Sequence, residues 1–382
     1  MFVLSQPGPA ATNWPAKLNL PGGGYLRSTF AHDQLWFTSN ELLARMTSGT
    51  GRVTIPLDYS ISFDSNAAQY LCQLIEGRLN PVVLRFRETL RELAKRKFNW
   101  ELLPFLQERS AAIMAGRDLD HIWRVVHASE YFDACDLDHF VATGGLRLQR
   151  PAEEVTAIAQ RNLSEWHRVL AAGEAQRAAE AHELFHTLVL KIALLHRQRP
   201  SPRHAADNLA EFLEFMCGEV GINLPWMLWA AAGLFERGGA FEPLRKLTAK
   251  KDVLIANSRN IAWDVAHYVE RRRWTRLGGH DGAFLLPYTL TFDRGLADWF
   301  DRQAMRSCLM KESGGMLQFF AEYDVEREVL DRYAAHRRLS GAVERHFTSE
   351  AAAARAERLR HHGGSVSQIV AGLEAAVAAI PD

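Results

Sequence analysis

Two strand-like segments of this chain end in the same way, although they lie far apart in the sequence. Residues 60–64 read Ser-Ile-Ser-Phe-Asp and residues 289–293 read Thr-Leu-Thr-Phe-Asp, so hydroxyl and apolar side chains alternate before each Phe-Asp pair. Alternation with a period of two predicts a half-buried β-strand. In open α/β proteins, ligands and metal ions bind at the carboxyl ends of strands. The pattern therefore predicts that folding brings Asp64 and Asp293 to one shared metal or phosphate site.

Most of the remaining sequence predicts helices around a small α/β core. A chain of 382 residues can form two or three domains, or one large domain with an insertion. We predict an irregular arm over 1–50, an α/β core formed by 51–80 and 250–335, a large helical insertion over 81–249, and C-terminal helices over 336–382.

The composition limits the classes of function and the compartment. Lys plus Arg and Asp plus Glu number 45 each, so no net charge attracts nucleic acid to the whole surface, although local patches can. The four cysteines are far apart and match no metal-binding spacing, which predicts buried thiols in a reducing compartment. The N-terminus does not have the pattern of a signal peptide, and the most apolar stretch, residues 224–235, is too short to span a bilayer. We therefore expect a soluble, cytoplasmic protein without a membrane partner.

A helix predicted just before the second strand supplies a third acid. Asn257, Asn260 and Asp264 are spaced so that they share one face of this helix, and Ile261 and Val265 flank them. Apolar neighbours predict partial burial, and buried amides and carboxylates are costly unless they find a partner such as a divalent cation.

Clustered Asp side chains suit a particular chemistry. Mg²⁺ and Mn²⁺ prefer carboxylate and water oxygens, and one or two such ions can activate water and offset the charge that develops during phosphodiester hydrolysis. Asp64, Asp264 and Asp293 are the candidate catalytic and metal-binding residues.

These three segments resemble motifs of the PIN-domain nucleases. Ser62-Phe63-Asp64-Ser65-Asn66 resembles the first strand-Asp-Thr-Asn turn of that family, and residues 289–296 resemble its late Thr-x-Asp strand end. Residues 260–264 resemble the helix that delivers another acid just before that strand. The resemblance implies an α/β/α sandwich with a small, mostly parallel sheet, and a ribonuclease that uses Mg²⁺ or Mn²⁺.

The resemblance also implies a set of metal ligands. It makes Asp64, Asp264 and Asp293 ligands, and Glu183 is the candidate for the helical Glu of the family. Asp252 is an alternative to Asp264 for the helical role. The matching segments are short, and 200 residues separate Asp64 from Asp264, whereas the domains of the family are compact.

A basic segment directly after the Asp264 helix indicates the nucleic-acid partner. Arg271, Arg272, Arg273 and Trp274 are predicted to contact the phosphates of RNA and to stack on a base. The alternative is a solvated helix end, where cations interact favourably with the helix dipole.

A second metal motif competes with the first. His182-Glu183-Leu184-Phe185-His186 has the His-Glu-x-x-His spacing of zinc-dependent peptidases, which places both imidazoles on one helix face. Glu211 or Glu214 would have to supply the third zinc ligand. The alternative is a pair of packed histidines.

Three hypotheses follow from the sequence. The first is a PIN-like, metal-dependent ribonuclease whose helical insertion selects substrates, gates the site or binds a protein partner. The second is a zinc-dependent hydrolase that uses His182, Glu183 and His186. The third is a non-catalytic helical interaction protein in which the acids are only structural.

Overall fold

The computed structural model describes residues 15–31, 37–38, 57–96, 98–277, 284–310, 316–361 and 365–380. The chain divides into two compact units. The first unit takes residues 1–179 and 267–322, and the second takes residues 180–266 and 323–382. The predicted insertion over 81–249 falls partly in each unit.

The strands belong to the first unit and form two sheets. They are β1 (Lys17–Asn19), β2 (Tyr25–Ser28), β3 (Phe37–Thr38), β4 (Leu57–Phe63), β5 (Trp100–Glu101), β6 (Arg276–Leu277), β7 (Phe284–Thr291), β8 (Met305–Met310) and β9 (Met316–Ala321). The main sheet has the order β1-β2-β7-β4-β5, with β6 also pairing with β7, and the other sheet has the order β3-β8-β9.

The main sheet is mixed. β4 pairs in parallel with both β7 and β5, whereas β2 and β6 pair antiparallel with β7. The protein is therefore helix-rich α/β, but its sheet is less parallel than the family resemblance implied. The difference comes from β6 and from β1 and β2, which lie in the segment that was predicted to be an irregular arm or a few short strands.

The two strands that carry the Phe-Asp motif are neighbours, as predicted. Their register sets Ser62 opposite Thr289 and Phe63 opposite Leu290. Pro287 lies inside β7, between Leu285, which pairs with β6, and Tyr288, which pairs with β2. Proline has no N–H group to donate. It can therefore occupy this position of β7, where neither β6 nor β2 pairs with the strand.

Sixteen helices lie in the described ranges. They are α1 (Ser65–Ile75), α2 (Pro81–Ala94), α3 (Leu103–Glu108), α4 (Ser110–Met114), α5 (Leu119–Asp133), α6 (Leu137–Thr143), α7 (Ala152–Val169), α8 (Ala175–Gln198), α9 (Ala205–Glu214), α10 (Pro225–Arg237), α11 (Lys251–Trp274), α12 (Arg294–Arg302), α13 (Val325–Arg332), α14 (Arg337–His346), α15 (Ser349–His361) and α16 (Ser365–Ala379). No helix in these ranges has both the length and the apolar character needed to cross a membrane.

The core of the first unit lies between the sheet and the helices that follow β4. Leu71 on α1, Phe86 and Leu90 on α2 and Phe132 on α5 are fully buried in one cluster with Phe63 at the end of β4. Asn80 caps α2 through its side chain and Pro81 occupies the first turn, as the Asn-Pro pair predicts. Three of the predicted buried thiols, Cys72, Cys135 and Cys217, are buried and form no disulfide in the described part of the chain.

A tight turn between β1 and β2 tests this packing. Gly22 and Gly23 have φ angles of 81° and 88°, a region that non-glycine residues avoid. A Cβ atom on Gly22 would overlap the carbonyl oxygen of Arg85, whereas one on Gly23 would meet nothing within 4 Å. We expect Gly23→Ala to cost about 1 kcal/mol of unfolding free energy, and Gly22→Ala to cost ~1 kcal/mol more. Equal costs in chemical denaturation would contradict this packing.

The second unit is helical. Within it α9 packs against α10 and α14, and α10 packs against α13. Glu236 on α10 accepts hydrogen bonds from Arg332 at 2.6 Å and from the Tyr333 hydroxyl at 2.5 Å. Glu214 at the end of α9 pairs with Arg345 and His346. These contacts hold the helices of the second unit together through polar groups at the edges of an apolar core.

Candidate functional site

Asp64 and Asp293 lie together at the carboxyl ends of β4 and β7. Asp64 is 5% exposed, and its carboxylate accepts hydrogen bonds from the Thr291 hydroxyl at 2.5 Å and from the Ala67 N–H at 2.6 Å. The same Thr291 hydroxyl accepts a hydrogen bond from the Asp293 N–H at 3.0 Å. Thr291 therefore links Asp64 to the backbone of Asp293, and the two strand ends lie side by side as predicted.

Both acids also begin helices. Asp64 is the N-cap of α1, whereas the sequence had indicated Ser65 or Asn66 for that role. Asp293 is the N-cap of α12, and its carboxylate accepts hydrogen bonds from the Gly295 and Leu296 N–H groups at 2.7 and 3.3 Å. A capping role alone accounts for a carboxylate at a helix start. It does not account for the burial of Asp64 beside a second carboxylate.

Glu108, which the sequence did not indicate, adds a third carboxylate. It is the last residue of α3, and its Oε1 lies 3.7 Å from Nδ1 of His267 on α11. The Coulombic interaction between Glu108 and Asp64 raises the pKa of Glu108, as expected for close carboxylates. We refer to Asp64, Glu108 and Asp293 as the acidic cluster.

The environment of the acidic cluster disfavours its ionised form. Burial raises the pKa of Asp64 to about 6, and Asp293 acts in the same direction, while the hydrogen bonds from Thr291 and Ala67 oppose the shift. Burial also raises the pKa of Glu108 to about 7, with Asp64 adding to the shift and the side chains of Ser65 and Arg109 opposing it. Glu108 therefore titrates near neutral pH, and a bound cation would favour the ionised form of both carboxylates.

A buried ion pair supports the helix that carries Glu108. Glu101 at the end of β5 accepts hydrogen bonds from Arg271 at 2.5 Å and from the Ser62 hydroxyl, and it also accepts one from the Leu103 N–H at the start of α3. Arg271 donates to Ser62 as well. One carboxylate thus joins β4, α11 and α3, and it fixes where α3 begins.

The remaining predicted ligands are helical residues that belong to the second unit. Asp264 is half-buried on α11, at a residue assigned to the second unit, and Asp252 is exposed in the first turn of that helix. Glu183 is half-buried on α8. The roles of Asp264 and Glu183 as ligands stay predictions.

The four residues predicted to contact RNA differ in accessibility. Arg271 is 1% exposed and Arg272 is 9% exposed. Arg273 is exposed and forms an ion pair with Glu270, and Trp274 is half-buried. Because the guanidinium groups of Arg271 and Arg272 lie in the interior, a contact between this segment and RNA would depend on Arg273 and Trp274.

The His-Glu-x-x-His pair of the second unit uses its ring nitrogens for hydrogen bonds. Nε2 of His182 lies 3.2 Å from the Arg259 carbonyl oxygen, so this nitrogen donates. Nε2 of His186 lies 3.0 Å from the Ser258 hydroxyl, which itself donates to the Ile255 carbonyl. Both Nε2 atoms therefore carry hydrogens, and neither offers a lone pair to zinc in this arrangement.

The candidate third zinc ligands are also engaged. Glu211 pairs with Lys191 and Arg199, and Glu214 pairs with Arg345 and His346. Across the described ranges, no group of three or more His, Cys, Asp or Glu side chains has the arrangement of a metal site. Neither the acidic cluster nor the histidine pair forms such a group.

The burial of His186 gives a testable pH dependence. Burial lowers the pKa of His186 to about 4, with His182 and Arg259 adding to the shift. The stabilisation by neutral His186 is complete above its unfolded-state pKa near 6.5, and it is lost as the pH falls toward 4. We expect a loss of about 3 kcal/mol in unfolding free energy over this range, and His186→Gln should remove it. His167→Gln, at an exposed position, is the control. An unchanged pH dependence in His186→Gln would contradict a buried neutral imidazole.

Comparisons with protein-family models, with curated protein sequences and with solved structures find no significant match to this chain. The function of the protein is therefore inferred from the geometry and chemistry of the site.

Proposed function

We propose that the acidic cluster binds Mg²⁺ or Mn²⁺ and hydrolyses phosphodiester bonds of RNA. The observation that carries the proposal is the link through Thr291 between Asp64 and Asp293, at the ends of adjacent parallel strands. Such strand ends are a common location for ligand sites in α/β proteins. The resemblance of the same two segments to PIN-domain motifs supports the same activity.

The donor chemistry of the cluster fits a divalent cation. Burial and mutual repulsion disfavour the ionised carboxylates, and a cation would reverse both effects. Mg²⁺ often binds proteins through one or two carboxylates and completes its shell with water and substrate phosphate oxygens. Asp64 and Asp293 would hold the ion, so a cage built wholly from protein side chains is not required.

The residues of the cluster divide the chemistry between them. A bound Mg²⁺ or Mn²⁺ would supply Lewis acidity and lower the pKa of a water molecule. Thr291 orients Asp64 through its hydroxyl donor. Glu108, with a pKa raised to about 7, is suited to exchange a proton with the attacking water or with the leaving oxygen.

The test is cleavage of single-stranded RNA with Mn²⁺. Asp64→Asn and Asp293→Asn should each lower the rate at least ~100-fold, and Asp264→Asn tests the predicted third ligand. Glu108→Gln should lose cleavage but retain Mn²⁺ binding. His186→Ala, in the second unit, is the control and should retain activity.

Two results would decide against the proposal. Full activity in both Asp64→Asn and Asp293→Asn would exclude the acidic cluster as the catalytic centre. Stoichiometric zinc in the purified protein, lost in His186→Ala, would instead favour the zinc hydrolase.

A further inference from the structure

A cavity of 590 Å³ lies in the first unit, and the helix that carries Glu108 forms part of its wall. Its volume is within the range of pockets that bind small molecules, roughly 300–1,000 Å³. It is walled by α3, the end of α7, the start of α8 and the last turn of α11. Its lining includes Gln107, Val169, Trp166, Glu174, Glu270 and Trp274.

The interior of the cavity is aromatic and its charged groups are paired. Trp166 and Trp274 contribute two indole rings, and the Arg271 guanidinium lies 5.2 Å from the ring centroid of Trp274. Each lining glutamate has an arginine partner: Glu165 pairs with Arg168, Glu174 with Arg177 and Glu270 with Arg273. Because these charges compensate one another, the chemistry favours a flat, neutral ring over a free ion.

A break in helix geometry shapes one wall. Residues 170–174 form a π-helical turn between α7 and α8, and Gly173 within it has a φ angle of 111°. Val169, just before this turn, and Glu174, its last residue, both line the cavity. π-helical turns inside α-helices are often found at functional sites.

α3 and α11 both line the cavity, and they also carry Glu108 and His267. Gln107 in the cavity wall directly precedes Glu108, and Glu270 lies one helical turn after His267, which approaches Glu108. α3 and α11 therefore connect the cavity to the proposed reaction centre through neighbouring residues of each helix.

We propose that this cavity binds one nucleobase of single-stranded RNA and so selects which phosphodiester reaches the acidic cluster. This inference rests on the proposed function, and it adds a recognition site to that function. Tryptophan rings stack on bases of any identity. The buried amide of Gln107 offers both a donor and an acceptor to the edge of the base.

The experiment measures nucleobase binding separately from cleavage. Uncharged nucleosides are titrated into the metal-free protein by calorimetry, and RNA cleavage with Mn²⁺ is measured in parallel. Trp166→Ala should weaken nucleoside binding at least ~10-fold and raise KM for RNA by a similar factor, with Mn²⁺ binding unchanged. Trp123→Ala is the matched control, because Trp123 is a half-buried tryptophan of the first unit that does not line the cavity.

The outcomes separate the two proposals. Nucleoside binding that depends on Trp166, without RNA cleavage, supports the cavity assignment and refutes the proposed activity. Cleavage with the same KM in wild type and Trp166→Ala refutes the cavity assignment and keeps the activity. Preferential binding of tetramethylammonium over nucleosides, lost in Trp166→Ala, would identify a cation cage and overturn the inference.

Discussion

Ionisation of Asp64 and Glu108 is expected to lower the stability of the metal-free protein as the pH rises from about 4 to about 7, against the smaller opposite contribution of His186. Asp64 and Glu108 have pKa values raised by burial to about 6 and about 7, above their ordinary values of 3.8 and 4.5. The folded state therefore binds more protons than the unfolded state in this range. The stabilisation is complete below the unfolded-state pKa values and is lost as the pH passes through the folded ones. The two groups together should contribute roughly 5 kcal/mol.

Chemical denaturation at several pH values, in the presence of a chelator, measures this effect. Asp64→Asn should flatten the profile and make the protein more stable than wild type at pH values above about 7. Addition of Mn²⁺ should restore stability to wild type at that pH and leave Asp64→Asn unaffected, because binding to the folded state is stabilising.

A second capping aspartate provides the matched control. Asp136 is the N-cap of α6 and accepts a hydrogen bond from the His139 N–H at 2.9 Å. This hydrogen bond, together with Arg147, lowers the pKa of Asp136, so its contribution is present above the unfolded-state pKa and is lost as the pH falls. Asp136→Asn should therefore change the pH profile in the opposite sense to Asp64→Asn. The same sense of change in both variants would show that capping alone explains the effect.

Arg271→Met is expected to lower the free energy of unfolding by about 3–5 kcal/mol. The substitution retains most of the volume of the side chain but leaves the Glu101 carboxylate without its 2.5 Å partner. Because Arg271 is buried and Glu101 is half-buried, the cost arises mainly from the Glu101 charge that remains without its cation. Loss of order at Glu101 should extend to α3, whose first N–H group, that of Leu103, donates to the same carboxylate.

Two further variants identify the origin of this cost. The double variant Arg271→Met, Glu101→Gln removes both charges and should recover more than half of the lost stability. Arg273→Met removes an exposed ion pair with Glu270 on the same helix and should change stability by less than about 0.5 kcal/mol. If Arg271→Met is no more destabilising than Arg273→Met, the buried pair does not stabilise the fold.

Local sequence signals predicted the two strands that end in Phe-Asp, because side-chain alternation is a local pattern, but they did not predict β8 and β9, which follow in a stretch expected to be helical. Alternating side chains in 60–63 and 289–292 specify strand conformation, and the Phe-Asp ending marks the point where each strand stops. Both Asp64 and Asp293 are short polar residues at helix starts, so the same local chemistry that ends the strand begins the helix.

Glu108 could not be identified in the same way. The strand that precedes its helix is only two residues long, Trp100–Glu101, which is too short for a periodic pattern to be detected. Its raised pKa depends on burial and on Asp64, which is 44 positions earlier in the sequence. The burial of Arg271 is likewise invisible in a basic run, where all three arginines appear equivalent.

The sequence by itself determined the two strand ends, their aspartates and the helical character of the rest, because backbone propensity and side-chain alternation act over a few neighbouring residues. The tertiary structure decided that Thr291 joins Asp64 to Asp293, that Glu108 completes the cluster, and that Arg271 supports it from the interior. These features depend on desolvation and on pairing between residues distant in the chain. Such interactions are set by the register of β4 against β7 and by the packing of α3 and α11, which no local pattern encodes.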